Sequence, residues 1–289
     1  MVSTRTSSAS SRSARRGIGF SWLLIAAACG GGADPATPAE PSAVVGFQLS
    51  GDPEQSNGAT WTYRATANGV AYDLQGILYK PRGAGPFPAV IISHGAGGNV
   101  NAYSRGVAST MVQWGLVAIA TNYTHAAGVP LGAPGLATDE GASTANIQRA
   151  RKLVDLLGAL GYVDTKRIAA HGHSMGAFVT AATVGAYPSV FRAASHTAGG
   201  SVPDGTPNAS APTESQVRGI TTPYQMHHGD ADVVVALSAD QRLAASLTNR
   251  GVANELYVYP GATHPDVANN SSVFTRVRAW YQAHGVLSP

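Results

Sequence analysis

Arg167-Ile168-Ala169-Ala170-His171-Gly172-His173-Ser174-Met175-Gly176-Ala177-Phe178 is the stretch on which the fold turns. It reads as a strand from Arg167 to Ala170, an abrupt turn, and an apolar helix from Met175 to Tyr187. The turn carries the pattern G-x-S-x-G, and a strand before it with a helix after it is the context in which that pattern has chemical meaning. Gly172 and Gly176 are required there because a side chain at either position would meet neighbouring backbone, while the serine between them is forced into a strained, exposed conformation. Its hydroxyl is thereby presented to a substrate.

Outward from this turn the same alternation continues. Pro88 to Ser93 and Leu116 to Ala120 are short unbroken apolar runs, as expected of parallel strands covered on both faces. Ala102 to Trp114 suits a helix, and Ala145 to Leu160 places Ile147, Ala150, Leu153, Val154 and Leu157 on one stripe, with Arg149, Arg151 and Lys152 toward water. Strands are predicted over Arg192 to Ser195, Tyr224 to His227 and Glu255 to Tyr259, and helices over Ser238 to Arg250 and Val273 to His284. Two β-rich segments, Thr60 to Ala65 and Ala71 to Tyr79, precede the series and read as an antiparallel edge. Gly199 to Arg218 reads as a loop or small insertion. Alternation of this length predicts an α/β fold, a doubly wound, mostly parallel sheet flanked by helices. No repeat of solenoid or propeller type is visible.

A serine hydroxyl is a weak nucleophile at neutral pH, so Ser174 needs a base, and the base needs a carboxylate to fix its tautomer and stabilise its cation. In this kind of sheet the three follow in the order serine, acid, histidine. His264, in Tyr259-Pro260-Gly261-Ala262-Thr263-His264, comes just after the last predicted strand and is the candidate base. The acid comes from His228-Gly229-Asp230-Ala231-Asp232, which leaves both Asp230 and Asp232 open; Asp266 is too close to His264 in the chain. Ser93-His94-Gly95-Ala96-Gly97-Gly98-Asn99 follows a buried strand, and its glycines let backbone N–H groups approach a substrate. The N–H groups of Ala96 and Met175 are the candidate oxyanion hole, each worth roughly 3 kcal/mol in such a site. The loop lacks the Lys-Ser or Lys-Thr ending of a phosphate-binding loop. His171, His173, His227 and His228 carry no H-E-x-x-H or Cys-His spacing, so no metal and no organic cofactor is expected. His94 and His173 are expected to order the loops by hydrogen bonding. Trp114 and Trp280 are expected in the core, and Tyr103, Tyr123 and the region from Tyr123 to Gly141 near the pocket.

Four stretches together, Pro88 to Asn99, Val163 to Gly176, His228 to Val235 and Glu255 to His264, resemble the α/β-hydrolase superfamily, in its dienelactone hydrolase-like and polyesterase-lipase-cutinase branches. The resemblance spans most of residues 60 to 289. It implies the α/β-hydrolase fold and a serine carboxylesterase working through an acyl-enzyme. In relatives with H-G-x-x-D the last residue is the acid, which favours Asp232 and leaves Asp230 to shape the turn. Departures mark the subfamily level: polyesterases often carry Trp where His173 stands, and dienelactone hydrolases typically use Cys where Ser174 stands.

The bulk numbers exclude other classes. Of 289 residues 44% are hydrophobic and 12% charged, which suits one large folded domain. The net charge of +3 is misleading, because Arg5, Arg12, Arg15 and Arg16 all precede residue 29; without them fifteen basic residues face sixteen acidic ones, a formal charge of −1. No electrostatic footprint for nucleic acid remains. Residues 1–28 form an export signal, basic then apolar from Gly17 to Ala28, with an apolar run too short to span a bilayer. Arg15-Arg16 is a weak twin-arginine hint. Cys29, the only cysteine, follows Ala26-Ala27-Ala28 and resembles the lipidated cysteine of bacterial lipoproteins. The expected organisation is thus a signal peptide (1–28), a Gly-, Ala- and Pro-rich tether (29–43) and the hydrolase domain (44–289). The protein is expected at the cell envelope through a lipid anchor at Cys29, or secreted if Cys29 is not lipidated. The expected partner is a small-molecule or polymeric ester. Two rival functions are a serine peptidase resembling prolyl oligopeptidase, for which no gating domain precedes residue 60, and a non-catalytic lipoprotein that only binds an apolar ligand.

Overall fold

The computed structural model describes residues 46–67, 69–126, 140–207 and 209–288. The expected export signal, Cys29, the expected tether and residues 127–139 of the expected pocket region lie outside the described residues.

The strands are β1 (Phe47–Ser50), β2 (Ala59–Ala67), β3 (Val70–Tyr79), β4 (Phe87–Ser93), β5 (Val117–Thr121), β6 (Val163–His173), β7 (Ala193–Thr197), β8 (Tyr224–Gly229) and β9 (Asn254–Tyr259). Between and after them come α1 (Arg105–Val112), α2 (Thr144–Ala159), α3 (Met175–Ala186), α4 (Glu214–Val217), α5 (Leu237–Asn249), α6 (His264–Asn269) and α7 (Ser271–Ala283). Among the described residues all nine strands form one sheet, in the order β1-β2-β3-β5-β4-β6-β7-β8-β9. β1, β2, β3 and β5 pair antiparallel in succession; from β5 through β4, β6, β7 and β8 to β9 every pairing is parallel. This is the predicted doubly wound, mostly parallel α/β sheet with an antiparallel edge.

The unbroken apolar runs split by residue parity between two cores. Ala89 and Ile91 of β4, Val117 and Ile119 of β5, and Ile168 and Ala170 of β6 pack with Leu153, Leu157, Ala181 and Leu243 of α2, α3 and α5. Val90, Ile92, Ala118, Ala120 and Ala169 face the other way, onto Val107 and Met111 of α1 and Val273, Val277 and Tyr281 of α7. A strand buried on both faces has no polar side to alternate, which is why its sequence reads as a run.

The chain leaves β4 toward β5 on one side and returns through α2 to β6 on the other. Neighbouring strands whose connections depart in opposite directions leave a crevice beyond their carboxyl ends, the place where open α/β sheets bind ligands. Ser93 and Gly172 are paired there across β4 and β6.

The boundaries differ from expectation in instructive places. The helix predicted over 102–114 opens as one π turn, Val100–Ser104, before α1 begins. β1 escaped the sequence reading because it is an edge strand with no buried face, and α4 and α6 because each is under two turns long. The segment read as a loop or small insertion between Gly199 and Arg218 holds α4, capped reciprocally by Thr213 and Gln216. Arg149 does not face water as predicted. It is partly buried over the Tyr72 ring, 5.9 Å from its centre. Trp280 is buried as expected, while Trp114 is only partly so.

Candidate active site

Ser174 joins β6 to α3 with φ 56° and ψ −124°, a left-handed backbone that an L side chain adopts only when its surroundings impose it. The constraint is visible on both sides. The Ser174 N–H donates to the Thr197 carbonyl at 3.0 Å, and its own carbonyl accepts from Ala177 at 2.8 Å. A Cβ on Gly172 would lie 2.3 Å from the Gly176 carbonyl oxygen, and one on Gly176 would lie 2.1 Å from that of Ser93. The turn is therefore pressed against the end of β4, and only glycine fits at these two positions.

His264 and Asp232 reach the serine from the ends of β9 and β8. The Ser174 Oγ lies 2.9 Å from His264 Nε2, and His264 Nδ1 lies 2.7 Å from Asp232 Oδ2. With the Nδ1 proton donated to the carboxylate, Nε2 is free to accept the serine proton. The Asp232 side chain has no exposed surface and that of His264 is 13% exposed. Asp232 also accepts the N–H groups of Val234 and Val235 at 2.8 and 2.9 Å on Oδ1. Burial opposes its ionisation, but the His264 hydrogen bond and these two N–H donors outweigh it, and its pKa falls below the ordinary carboxylate value. Of the two aspartates the residues left open, Asp232 makes the hydrogen bond to His264, while Asp230 accepts the Gly261 N–H at 2.6 Å, tying the Asp232 loop to the His264 loop. Asp266 accepts from Thr263 and caps α6, whose first residue is His264.

The Gly-rich loop after β4 passes over Ser174, since a Cβ on Gly95 would stand 3.1 Å from Ser174 Cβ. His94 holds it. This fully buried ring donates from Nδ1 to the Gly95 carbonyl at 2.9 Å and accepts the Tyr123 N–H on Nε2 at 3.2 Å. Burial lowers its pKa, in keeping with the neutral ring those bonds require. Ala96 follows Gly95 on this loop, and Met175 is the first residue of α3, where helical N–H groups have no partner within the helix. His173 donates or accepts at Thr197 Oγ1, 2.9 Å away, and its ring centre lies 4.8 Å from that of His264.

Two cavities are lined by chain neighbours of these groups rather than by Ser174, Asp232 or His264 themselves. One, about 420 Å³, is walled by Phe178, Val202, Pro203, Ala211, Val234 and Val235; the other, about 870 Å³, lies between α1 and α7 and includes Tyr103, Trp114 and Phe274. Tyr123 lies deeper than the sequence suggested: it is wholly buried, its hydroxyl 2.8 Å from Ser93 Oγ. A second serine–histidine contact, His171 Nδ1 to Ser195 Oγ at 2.7 Å, has a different character. Both residues are fully buried, their other partners are the hydroxyls of Tyr103 and Tyr281, and no carboxylate completes the pair. Burial pulls His171 down to about 3, so it cannot serve as a base for a substrate that cannot reach it. What the sequence did not indicate is a buried pair behind Asp232, His228 and Asp240. A first-turn aspartate in an amphipathic helix reads as a solvated charge, and nothing in its spacing signals burial.

Residues 74–283 match the model of the dienelactone hydrolase family. No curated protein matches the chain. Among solved structures, an esterase of the planctomycete Thermogutta terrifontis superposes with TM-score 0.60 at 19% identity, covering 79% of this chain and 93% of that one. The dipeptidyl peptidase 4 of Porphyromonas gingivalis superposes with TM-score 0.62 at 15% identity, covering 78% of this chain and 36% of that one. A candidate dipeptidyl aminopeptidase IV of Bacteroides ovatus is similar, at TM-score 0.62 and 18% identity, with 78% of this chain covered. The chain spans about 35% of that protein's length. At these identities the likeness is one of fold, and the fold is that of the α/β-hydrolases.

Proposed function

The chain belongs to the dienelactone hydrolase family, and from that premise we propose that it is a serine carboxylesterase in which Ser174, His264 and Asp232 form the triad and the N–H groups of Ala96 and Met175 the oxyanion hole. The observation that carries this reading is the unbroken run of hydrogen bonds, 2.9 and 2.7 Å, from the Ser174 hydroxyl through His264 to Asp232. Ser174 attacks the ester carbonyl while His264 Nε2 takes its proton; Asp232 stabilises the resulting imidazolium. The carbonyl oxygen becomes an anion and is received by the two backbone donors. His264 then passes its proton to the leaving alkoxide, and a water molecule, deprotonated by the same ring, releases the acid from Ser174.

An ester as substrate is supported by the family, which is named for the hydrolysis of a lactone, itself a cyclic ester. It is supported also by the apolar walls beside the nucleophile. Met175, Phe178, Val202 and Val235 pack together there, and Val233 and Val234, next to the acid, are 95% and 67% exposed. Apolar surface left in water at the rim of a cleft suits an ester with an apolar acyl or alcohol part.

The test is hydrolysis of p-nitrophenyl esters from acetate to palmitate, beside peptide p-nitroanilides, by the protein and by Ser174→Ala. Esters should be cleaved and the variant should lose on the order of 10⁶-fold in kcat with an unchanged melting temperature. Turnover of anilides but not esters would replace this reading with a peptidase.

A further inference from the structure

Behind the Asp232 carboxylate stands a second histidine. His228 lies on the face of β8 covered by α5, and the side chains of His228, Asp232 and Asp240 have no exposed surface. His228 Nδ1 is 2.7 Å from Asp240 Oδ2, and Nε2 is 2.9 Å from the Val235 carbonyl oxygen. A carboxylate oxygen and a carbonyl oxygen can only accept. A neutral imidazole has one N–H and would turn a lone pair toward one of these oxygens at under 3 Å, buried and unrelieved by water. Both nitrogens therefore carry protons, and the ring is a cation.

Its counter-ion is Asp240, in the first turn of α5, where the helix dipole favours an anion. The other oxygen of Asp240 is 2.6 Å from His196 Nε2, and His196 Nδ1 is 3.0 Å from the Tyr224 hydroxyl. Burial opposes charge on both partners. The hydrogen bond and charge of Asp240, with the Val235 carbonyl and Asp232, nevertheless raise the His228 pKa above its ordinary value; His196 and His228 together hold Asp240 well below the carboxylate range. These are the charged and titratable groups that face the ring: Asp240 from α5, Asp232 from the loop after β8, and beyond them His196 of β7 and His264 of α6.

The cation grips the acid loop. Val235 gives its N–H to Asp232 Oδ1 and its carbonyl to His228, so the turn from Asp232 to Val235 is held at both ends, and His228 Nε2 lies 3.5 Å from Asp232 Oδ2. We propose that His228 is a doubly protonated positioning residue for the triad acid, its imidazolium locking the Asp232–Val235 turn and keeping Asp232 ionised and aimed at His264, with the buried Asp240 as its counter-ion. The role rests on the triad proposed above. The charge state does not.

The experiment is nitrogen NMR of the protein with its nine histidines labelled at the ring nitrogens, followed by pH profiles of two variants. At about pH 8, where an ordinary histidine is neutral, one ring should show two protonated nitrogens, and that signal should be missing from His228→Gln. Asp240→Asn, which keeps the shape but removes the counter-charge, should abolish the same signature and lower kcat on the order of 10–100-fold with little change in KM, because the acid is misplaced and binding is not. His228→Gln should also move the acid limb of the kcat/KM profile to higher pH, since an uncompensated Asp240 favours the protonated, inactive base. A wild-type spectrum with no imidazolium at that pH, or a folded Asp240→Asn with wild-type kcat, overturns the proposal. The spectrum is read without substrate, so a protein that cleaved no ester would sink the esterase reading and leave this one to be decided by itself.

Discussion

At the scale of single residues, the members of the proposed triad stand in short local patterns and their supports do not. Ser174, His264 and the Asp230/Asp232 pair could be picked from the chain because each sits in a short pattern at a strand end, where local spacing carries the information. His228 belonged to the same pattern but without a role, and Asp240 to none, because their meaning lies in contacts that only the folded chain makes: Asp240 meets a histidine 12 residues before it and another 44 residues before it. The glycines of the nucleophile turn were legible for a physical reason that can be tested. Gly176→Ala puts a methyl 2.1 Å from the Ser93 carbonyl oxygen and should cost at least about 3 kcal/mol or prevent folding. Gly106→Ala on α1, with nothing within 4 Å, should be neutral or stabilise by about 0.5–1 kcal/mol. Denaturant unfolding of the two variants measures the contrast.

At the scale of elements, the carboxyl ends of β6, β7 and β8 bring histidines into adjacent registers: His171 opposite Ser195, His173 opposite Thr197, and Thr197 opposite His227. The sequence showed these residues, but it could not show that the strands stack them beneath α7. Burial, above all, lowers His171 to about 3 and His173 to about 4 and pulls His227 well below its ordinary value of 6.5. Each is thus neutral in the fold, while the unfolded chain takes up a proton near 6.5. The unfolded state binds more protons below that value, so the stability these rings contribute is complete above it and drains away as pH falls toward their folded values. Depressed Asp232 and Asp240 act in the same direction at still lower pH, whereas His228, raised, acts in the opposite one: its share is complete below 6.5 and fades as pH rises through its folded value. Calorimetric melting temperatures should therefore decline steadily from about pH 6.5 downward. A melting temperature that stayed level to about pH 4.5 would show that these rings are not buried neutral.

At the scale of the whole molecule, the alternation of apolar runs and stripes was enough to give the doubly wound sheet, since β4, β5, β7 and β8 are buried on both faces. The edge was harder: β1 is held by pairing with β2 and leaves its side chains after Phe47 exposed, so no pattern marks it. The arrangement of the sheet also divides the chemistry along the chain. The proposed nucleophile and the Gly-rich loop lie before the segment at 199–218, the proposed acid and base after it, and residues 203–207 of that segment are exposed. What rejoins the two parts is the parallel pairing of β7 with β8, from Ala194 opposite Tyr224 to Thr197 opposite His227. Limited proteolysis within 203–207 should accordingly yield a two-piece enzyme that stays assembled and active. A fluorophosphonate would then mark only the amino-terminal fragment, yet do so only while the carboxyl-terminal fragment is present, so that covalent labelling of one polypeptide becomes a report on its non-covalent embrace by the other.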